Sequence, residues 1–126
     1  MKKQSLIITG LLLLLATIAN AQTKTGIQYF EGKWNTVVSS PYGDVKMVIC
    51  FEKNNDKISS SIKDSEGKDL YKVEKTSVQE KQATITFIGS QGVVDMILTK
   101  KDEDNLTGDI MGGIASVQGT RLRVTN

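Results

Sequence analysis

The side chains able to do chemistry in this 126-residue chain are serines, threonines, lysines, carboxylates and one cysteine; histidine is absent. That absence removes the commonest general base and the commonest metal ligand in one step. Ser39-Ser40 and Ser59-Ser60-Ser61 cluster hydroxyls, but no Gly-x-Ser-x-Gly elbow surrounds them. They read as polar strand positions, where serine satisfies itself locally. Asp95 interrupts the apolar run from Val93 to Leu98, and alternation turns it outward, away from Val94 and Met96. The run Asp102-Glu103-Asp104-Asn105 has the oxygen ligands calcium needs. An EF-type loop starting at Asp102 would also need a ligand, a glycine and a glutamate where Leu106, Thr107 and Gly113 stand, so the run reads as a solvated hairpin turn. Cys50 has no partner for an internal disulfide and no histidine to lower its pKa, which makes it a small strand residue. There is no CxxC pair and no glycine-rich phosphate loop. Asn105-Leu106-Thr107 fits the N-glycosylation pattern, which matters only in a host that glycosylates it. The residues therefore point away from an enzyme, and they imply no metal and no cofactor.

The amino-terminal 21 residues account for much of the bulk composition. Met1-Lys2-Lys3 is a basic start, Leu6 to Ile18 is apolar, and Ala19-Asn20-Ala21 is a small-x-small cleavage pattern, so residues 1–21 read as a secretion signal of bacterial character. The exported domain is expected to be residues 22–126, periplasmic or secreted. Gln22 stands where a lipoprotein would carry its cysteine, so no lipid anchor is expected. The two leader lysines account for the whole +2 formal charge, and bases and acids balance at 14 each in the remainder. A neutral domain argues against nucleic-acid binding, which needs a basic surface, and against a polybasic membrane-surface protein. No later apolar run reaches the ~20 residues of a spanning helix, so the exported chain is not expected to be membrane-embedded. One domain, in monomeric form, is the expected state.

From Gly32 onward period-two alternation is broken by turn residues at short intervals, the pattern of consecutive antiparallel strands. Eight runs are predicted: Lys33 to Ser40, Val45 to Lys53, Lys57 to Lys63, Lys68 to Lys75, Gln82 to Gly89, Val93 to Lys100, Asn105 to Met111 and Ile114 to Val124. Thr76 to Lys81 reads as a polar link. Connections this short exclude crossover helices, so the fold is expected to be all-β. Eight such strands most naturally close as an antiparallel up-and-down barrel, which removes exposed edges, with a two-sheet sandwich as the alternative. Alternation predicts the inner face: Trp34, Thr36 and Val38; Met47, Ile49 and Phe51; Ile58, Ser60 and Ile62; Tyr71 and Val73; Ala83, Ile85 and Phe87; Val94, Met96 and Leu98; Leu106, Gly108 and Ile110. The last strand is ambiguous between Ala115, Val117 and Gly119 on one side and Ile114, Ser116 and Leu122 on the other, with a bulge near Gly119 able to switch the phase. A weak repeat at an offset of 48 relates the segment from Val48 to that from Met96, as hairpins of one meander resemble each other.

Gly32-Lys33-Trp34 opens the first strand behind the apolar stretch Ile27-Gln28-Tyr29-Phe30, and Arg121 and Arg123 lie in the last. This pattern resembles the calycin group, the lipocalins and their smaller relatives, and in particular small secreted bacterial lipocalin-like domains. The resemblance spans nearly all of the exported chain. It implies a short closing turn before the first strand and structural roles for Gly32, Trp34 and Arg121, the last two as a cation–π plug worth about 0.5 to 2 kcal/mol. The chain is shorter than an ordinary lipocalin and lacks that family's further motifs between strands six and seven.

An eight-stranded barrel either holds one small ligand or is filled by its own side chains. Large apolar groups mixed with small polar ones on the predicted inner face are compatible with an apolar pocket carrying a few orienting hydroxyls and equally with a packed core, which the short strands slightly favour. The candidate ligand-binding residues are Thr36, Met47, Phe51, Ser60, Tyr71, Phe87 and Met96. The leading expectation is an exported lipocalin-like protein binding an apolar or amphipathic small molecule. The alternative is a filled barrel that binds a protein partner, as periplasmic protease inhibitors do, through the polar segment Gln22 to Gly26.

Overall fold

A computed structural model describes residues 24–90 and 92–123. The predicted leader, its cleavage point before Gln22, and Val124 at the end of the last predicted strand lie outside the described residues. A five-residue helix, α1 (Gly26–Phe30), precedes eight strands: β1 (Gly32–Ser40), β2 (Gly43–Asn54), β3 (Lys57–Lys63), β4 (Asp69–Val78), β5 (Gln82–Gly89), β6 (Gly92–Lys100), β7 (Asn105–Ile110) and β8 (Ala115–Leu122). Each strand pairs with the next, and β8 returns to β1 from Lys33↔Leu122 to Ser39↔Ser116, so the sheet is a closed antiparallel up-and-down barrel. Closure leaves no edge strand.

Alternation places one residue in two inside. Trp34, Thr36, Ile49, Phe51, Ile62, Ile85, Met96, Leu98, Leu106 and Val117 are all but sealed from solvent. Lys33, Lys46, Lys72 and Asp95 stand on the outer wall, where charge meets water. No helix among the described residues is long and apolar enough to cross a membrane.

Two differences from the sequence pattern have local causes. Residues 76–78, predicted as part of a polar link, continue β4, because its register against β5 shifts between Val73 and Lys75. A second shift between Ile62 and Lys63 leaves β3 and β4 laddered only at Ile62↔Tyr71 and Lys63↔Asp69. Val73 is accordingly half-buried and Tyr71 reaches the rim, where 36% of it is exposed. In β8 no bulge interrupts the pairing. Ala115, Val117 and Gly119 face inward, and the same phase carries Arg121 inward too. Glycine is tightly enclosed at two inner positions. A Cβ on Gly119 would meet Leu106 Cδ1 at 2.7 Å, and one on Gly108 would collide with the Ile97 carbonyl.

Candidate functional site

The two ends of the barrel are chemically unlike. α1 lies across the end formed by the β2–β3, β4–β5 and β6–β7 turns. The Gly26 amide donates to the Glu80 carbonyl at 2.7 Å, and the Tyr29 hydroxyl lies 2.7 Å from the Asp102 carbonyl and 2.8 Å from that of Asn105. The Trp34 indole donates to the Phe30 carbonyl at 2.9 Å. Arg121 reaches inward from β8, its guanidinium carbon 4.3 Å from the Trp34 ring centroid and 5.1 Å from that of Tyr29. It donates to the Tyr29 carbonyl at 2.9 Å and to the Glu103 carbonyl at 2.8 Å. Lys100 pairs with Glu103 at 2.8 Å and donates to the Lys24 carbonyl at 2.7 Å, which ties the chain ahead of α1 to the same plug. Burial pushes the Tyr29 hydroxyl up to about 12, with Arg121 partly opposing it. The hydrogen bond from Lys100 holds Glu103 below its usual value, and that from the Asn105 side chain does the same for Asp102. Among the described residues no buried side-chain nitrogen or oxygen lacks a partner, and Tyr29, Trp34 and Arg121 all bond within the plug, which fits a structural role for this end.

The opposite end is open. A cavity of about 270 Å³ lies between the β1–β2, β5–β6 and β7–β8 hairpins, lined chiefly by Val38, Met47, Tyr71, Phe87, Val94 and Met111. Tyr71 packs on Phe87 with ring centroids 5.0 Å apart. Among the described residues no lysine, arginine or carboxylate lines the space, and the polar side chains that do are Tyr71 and Ser90. Among the described residues the Tyr71 hydroxyl has no hydrogen-bond partner.

Of the seven candidate ligand-binding residues, the fold brings Met47, Tyr71 and Phe87 together around this cavity. The other four lie deeper or are already engaged. Thr36 donates to the Met47 carbonyl at 2.9 Å, and Ser60 bonds Thr76 side chain to side chain at 2.7 Å. Phe51 packs against Phe30 of the plug at 5.6 Å, and Met96 is fully buried. The sequence reading did not single out Val45, Val93 or Met111, which line the mouth. The signal for that end is the uncharged decapeptide from Ile110 to Gly119. Met111 is held at φ 55°, a left-handed conformation that glycine adopts without the strain a side chain brings.

No protein-family model matches this chain, and no curated protein matches it. Among solved structures it is similar to a redesigned β-barrel, with a TM-score of 0.50 and 14% identity over 82% of this chain and 99% of that one. That likeness carries the closed-barrel architecture and nothing about activity.

Proposed function

We propose that this chain is an exported, lipocalin-like binding protein that takes one small, uncharged, largely apolar molecule at its open end. The observation that carries this reading is the cavity behind Val38, Met47, Tyr71 and Phe87, chiefly apolar on its walls and, among the described residues, without ionic side chains. An apolar space of about 150 Å³ accommodates benzene, so about 270 Å³ suits one or two fused rings or a short acyl chain. A carboxylate or ammonium would enter without a counter-charge and lose its hydration. A hydroxyl or carbonyl on the guest would find Tyr71. The leader-like sequence of residues 1–21 supports export.

The protein-partner reading draws on a projecting amino terminus. From Lys24 onward the described chain is instead tied down, through the Lys24 and Glu80 carbonyls. This favours the ligand reading.

Thermal melting in the presence of 2-naphthol, 2-naphthoate and a naphthyl ammonium tests the proposal. The neutral compound should raise the melting temperature and the ionic ones should not, since a ligand stabilises the folded state only through binding it. Val38→Phe, which fills the cavity, should abolish the shift. Absence of a shift with 2-naphthol and a panel of neutral one- and two-ring compounds overturns the reading.

A further inference from the structure

One seam of the barrel is made differently from the others. β1 and β2 are laddered from Gly32↔Phe51 to Ser40↔Gly43, and β5 and β6 from Gln82↔Thr99 to Gly89↔Gly92. β3 and β4 pair only at Ile62↔Tyr71 and Lys63↔Asp69, beside their own turn. Below those two rungs no register pair joins residues 57–61 to residues 72–78. The cause lies in β4. Against β5, Val73 pairs with Phe87 and Lys75 with Thr86, so Glu74 is an extra residue. A bulge of this kind bends its strand and terminates pairing, and the β3–β4 ladder stops at Tyr71, just ahead of it. Solvent reaches the inner face along the unladdered stretch. Ile58 and Ser60 of β3 and Val73, Thr76 and Val78 of β4 are half-buried there, while Thr36, Ile49, Ile85 and Val117, inner residues of other strands, are sealed. Across the gap the Ser60 and Thr76 hydroxyls meet at 2.7 Å. The rungs are backed by Lys63 and Asp69 at 3.6 Å, an exposed ion pair of little weight. They are also backed by a turn that braces itself, since the Asp64 carboxylate accepts from the Glu66 and Lys68 amides and the Asp64 amide donates to the Lys68 carbonyl.

We propose that this seam is a side entrance to the barrel: a slot below the two rungs that opens when the Ser60 and Thr76 hydroxyls part, hinged on the self-braced β3–β4 turn. Opening there breaks no rung. The remaining ladders keep their hydrogen bonds, and the strand order from β4 round through β8 and β1 to β3 stays continuous. At any other seam the same motion would break main-chain bonds along the strands, as between β1 and β2. Local openings are drawn from the least bonded parts of a fold. The slot leads to a level of the lumen beneath the open-end cavity, where Ile85 stands opposite Thr76 and Phe51 opposite Ser60. Tyr71 links the two entrances, since it forms the upper rung with Ile62 and also walls the cavity. The slot is a property of the strands and does not require the cavity to be occupied, so it stands or falls apart from the ligand reading.

Thiol reactivity reads out the opening. In the full chain carrying Cys50→Ala, which removes the one native thiol, single cysteines are placed behind the slot, as Ile62→Cys and Ile85→Cys, and on the opposite wall, as Thr36→Cys and Val117→Cys. All four positions are sealed in the closed barrel, and strand order sets β1 and β8 across the ring from β5 and β4. Labelling by methyl methanethiosulfonate is followed by mass spectrometry at urea concentrations below the unfolding transition. Positions 62 and 85 should react roughly tenfold faster or more than 36 and 117, at rates that dilute urea barely changes, the mark of a local opening. Thr76→Val, which removes one hydroxyl of the pair and keeps its shape, should raise reactivity at 85 several-fold and leave 36 unchanged. Thr36 lies one inner step beyond Val38, as Ile85 does beyond Phe87, and Val38 and Phe87 both wall the cavity, so entry from the open end would label the two alike. Melting curves check that each variant folds; positions 62 and 85 lie on different strands, and either one carries the test if the other variant does not fold. The proposal is overturned by slot positions that react no faster than 36, by rates that rise with urea in step with Val117→Cys, or by reactivity at the slot positions that Thr76→Val leaves unmoved.

Discussion

The guanidinium of Arg121 lies against Trp34 at 4.3 Å and, from the same position, reaches two main-chain carbonyls of different elements, Tyr29 in α1 and Glu103 in the β6–β7 turn. One side chain thus joins the first strand, the last strand, the closing helix and a turn. Removing it strips a cation from two rings and leaves carbonyls without their donors. Arg121→Met should therefore lower unfolding free energy by about 2 to 4 kcal/mol in urea titrations, since a lost charged hydrogen bond costs about 1.5 to 3 and a lost cation–π contact about 0.5 to 2. Binding at the open end should survive. Arg121→Lys should recover little, because lysine lacks the planar fork that serves both carbonyls. Loss of open-end binding at unchanged stability would contradict a structural role for the plug.

Much of this architecture was legible because a barrel is written locally. Pro41-Tyr42-Gly43, Asn54-Asn55-Asp56 and Gly112-Gly113 mark turns by their own chemistry, and the alternation between them fixes which residues face in. Position along the barrel axis is a different matter. Thr36, Phe51 and Met96 share the inward phase of Met47 and Phe87, yet only a barrel plugged at one end separates those that fill the lumen from those that border a cavity. The register shifts of β4 were also hidden, since Val73-Glu74-Lys75 has no glycine or proline to announce a bulge. The phase of β8 became fixed once Arg121 had to point at Trp34.

Gly108 tests how tightly β6 and β7 are joined. A Cβ there would strike the Ile97 carbonyl, a main-chain atom that cannot swing aside, and would press on Leu98 Cδ2 at 2.9 Å. Gly108→Ala should destabilise by about 1 to 3 kcal/mol or more through overpacking. Gly119→Ala meets mostly the Leu106 and Thr36 side chains, which can rotate, and should cost less. Calorimetry of the two variants should show that order; the reverse order would mean that the β6–β7 ladder gives way more easily than the core.

Tyr29 makes stability fall in alkali in a defined window. Its folded pKa of about 12 lies above the ordinary value of 10.0. Between those values the unfolded chain has lost a proton that the folded chain keeps, so unfolding becomes more favourable as pH rises. The contribution is fully present below pH 10 and disappears by about pH 12, with a magnitude on the order of 2 kcal/mol. Tyr29→Phe should be less stable at neutral pH, having lost the bond to Asp102 and Asn105, and should show a shallower decline from pH 10 to 12 than the parent. Parallel declines in denaturant titrations at several pH values would exclude Tyr29 as the responsible group.

Met111 sets stability against function. At φ 55° its backbone would be relaxed by glycine, while its side chain borders the cavity and stands 57% exposed at the tip. Met111→Gly should therefore leave stability within about 1 kcal/mol of the parent, the relief of strain offsetting the added freedom of the unfolded chain. It should weaken 2-naphthol binding several-fold, because one wall of the pocket is gone. Met111→Asn keeps a residue tolerant of left-handed backbone but presents an amide, and should weaken binding at least as much. If both variants bound 2-naphthol as tightly as the parent, the guest would have to sit deeper than the mouth, among Val38, Met47 and Phe87 alone.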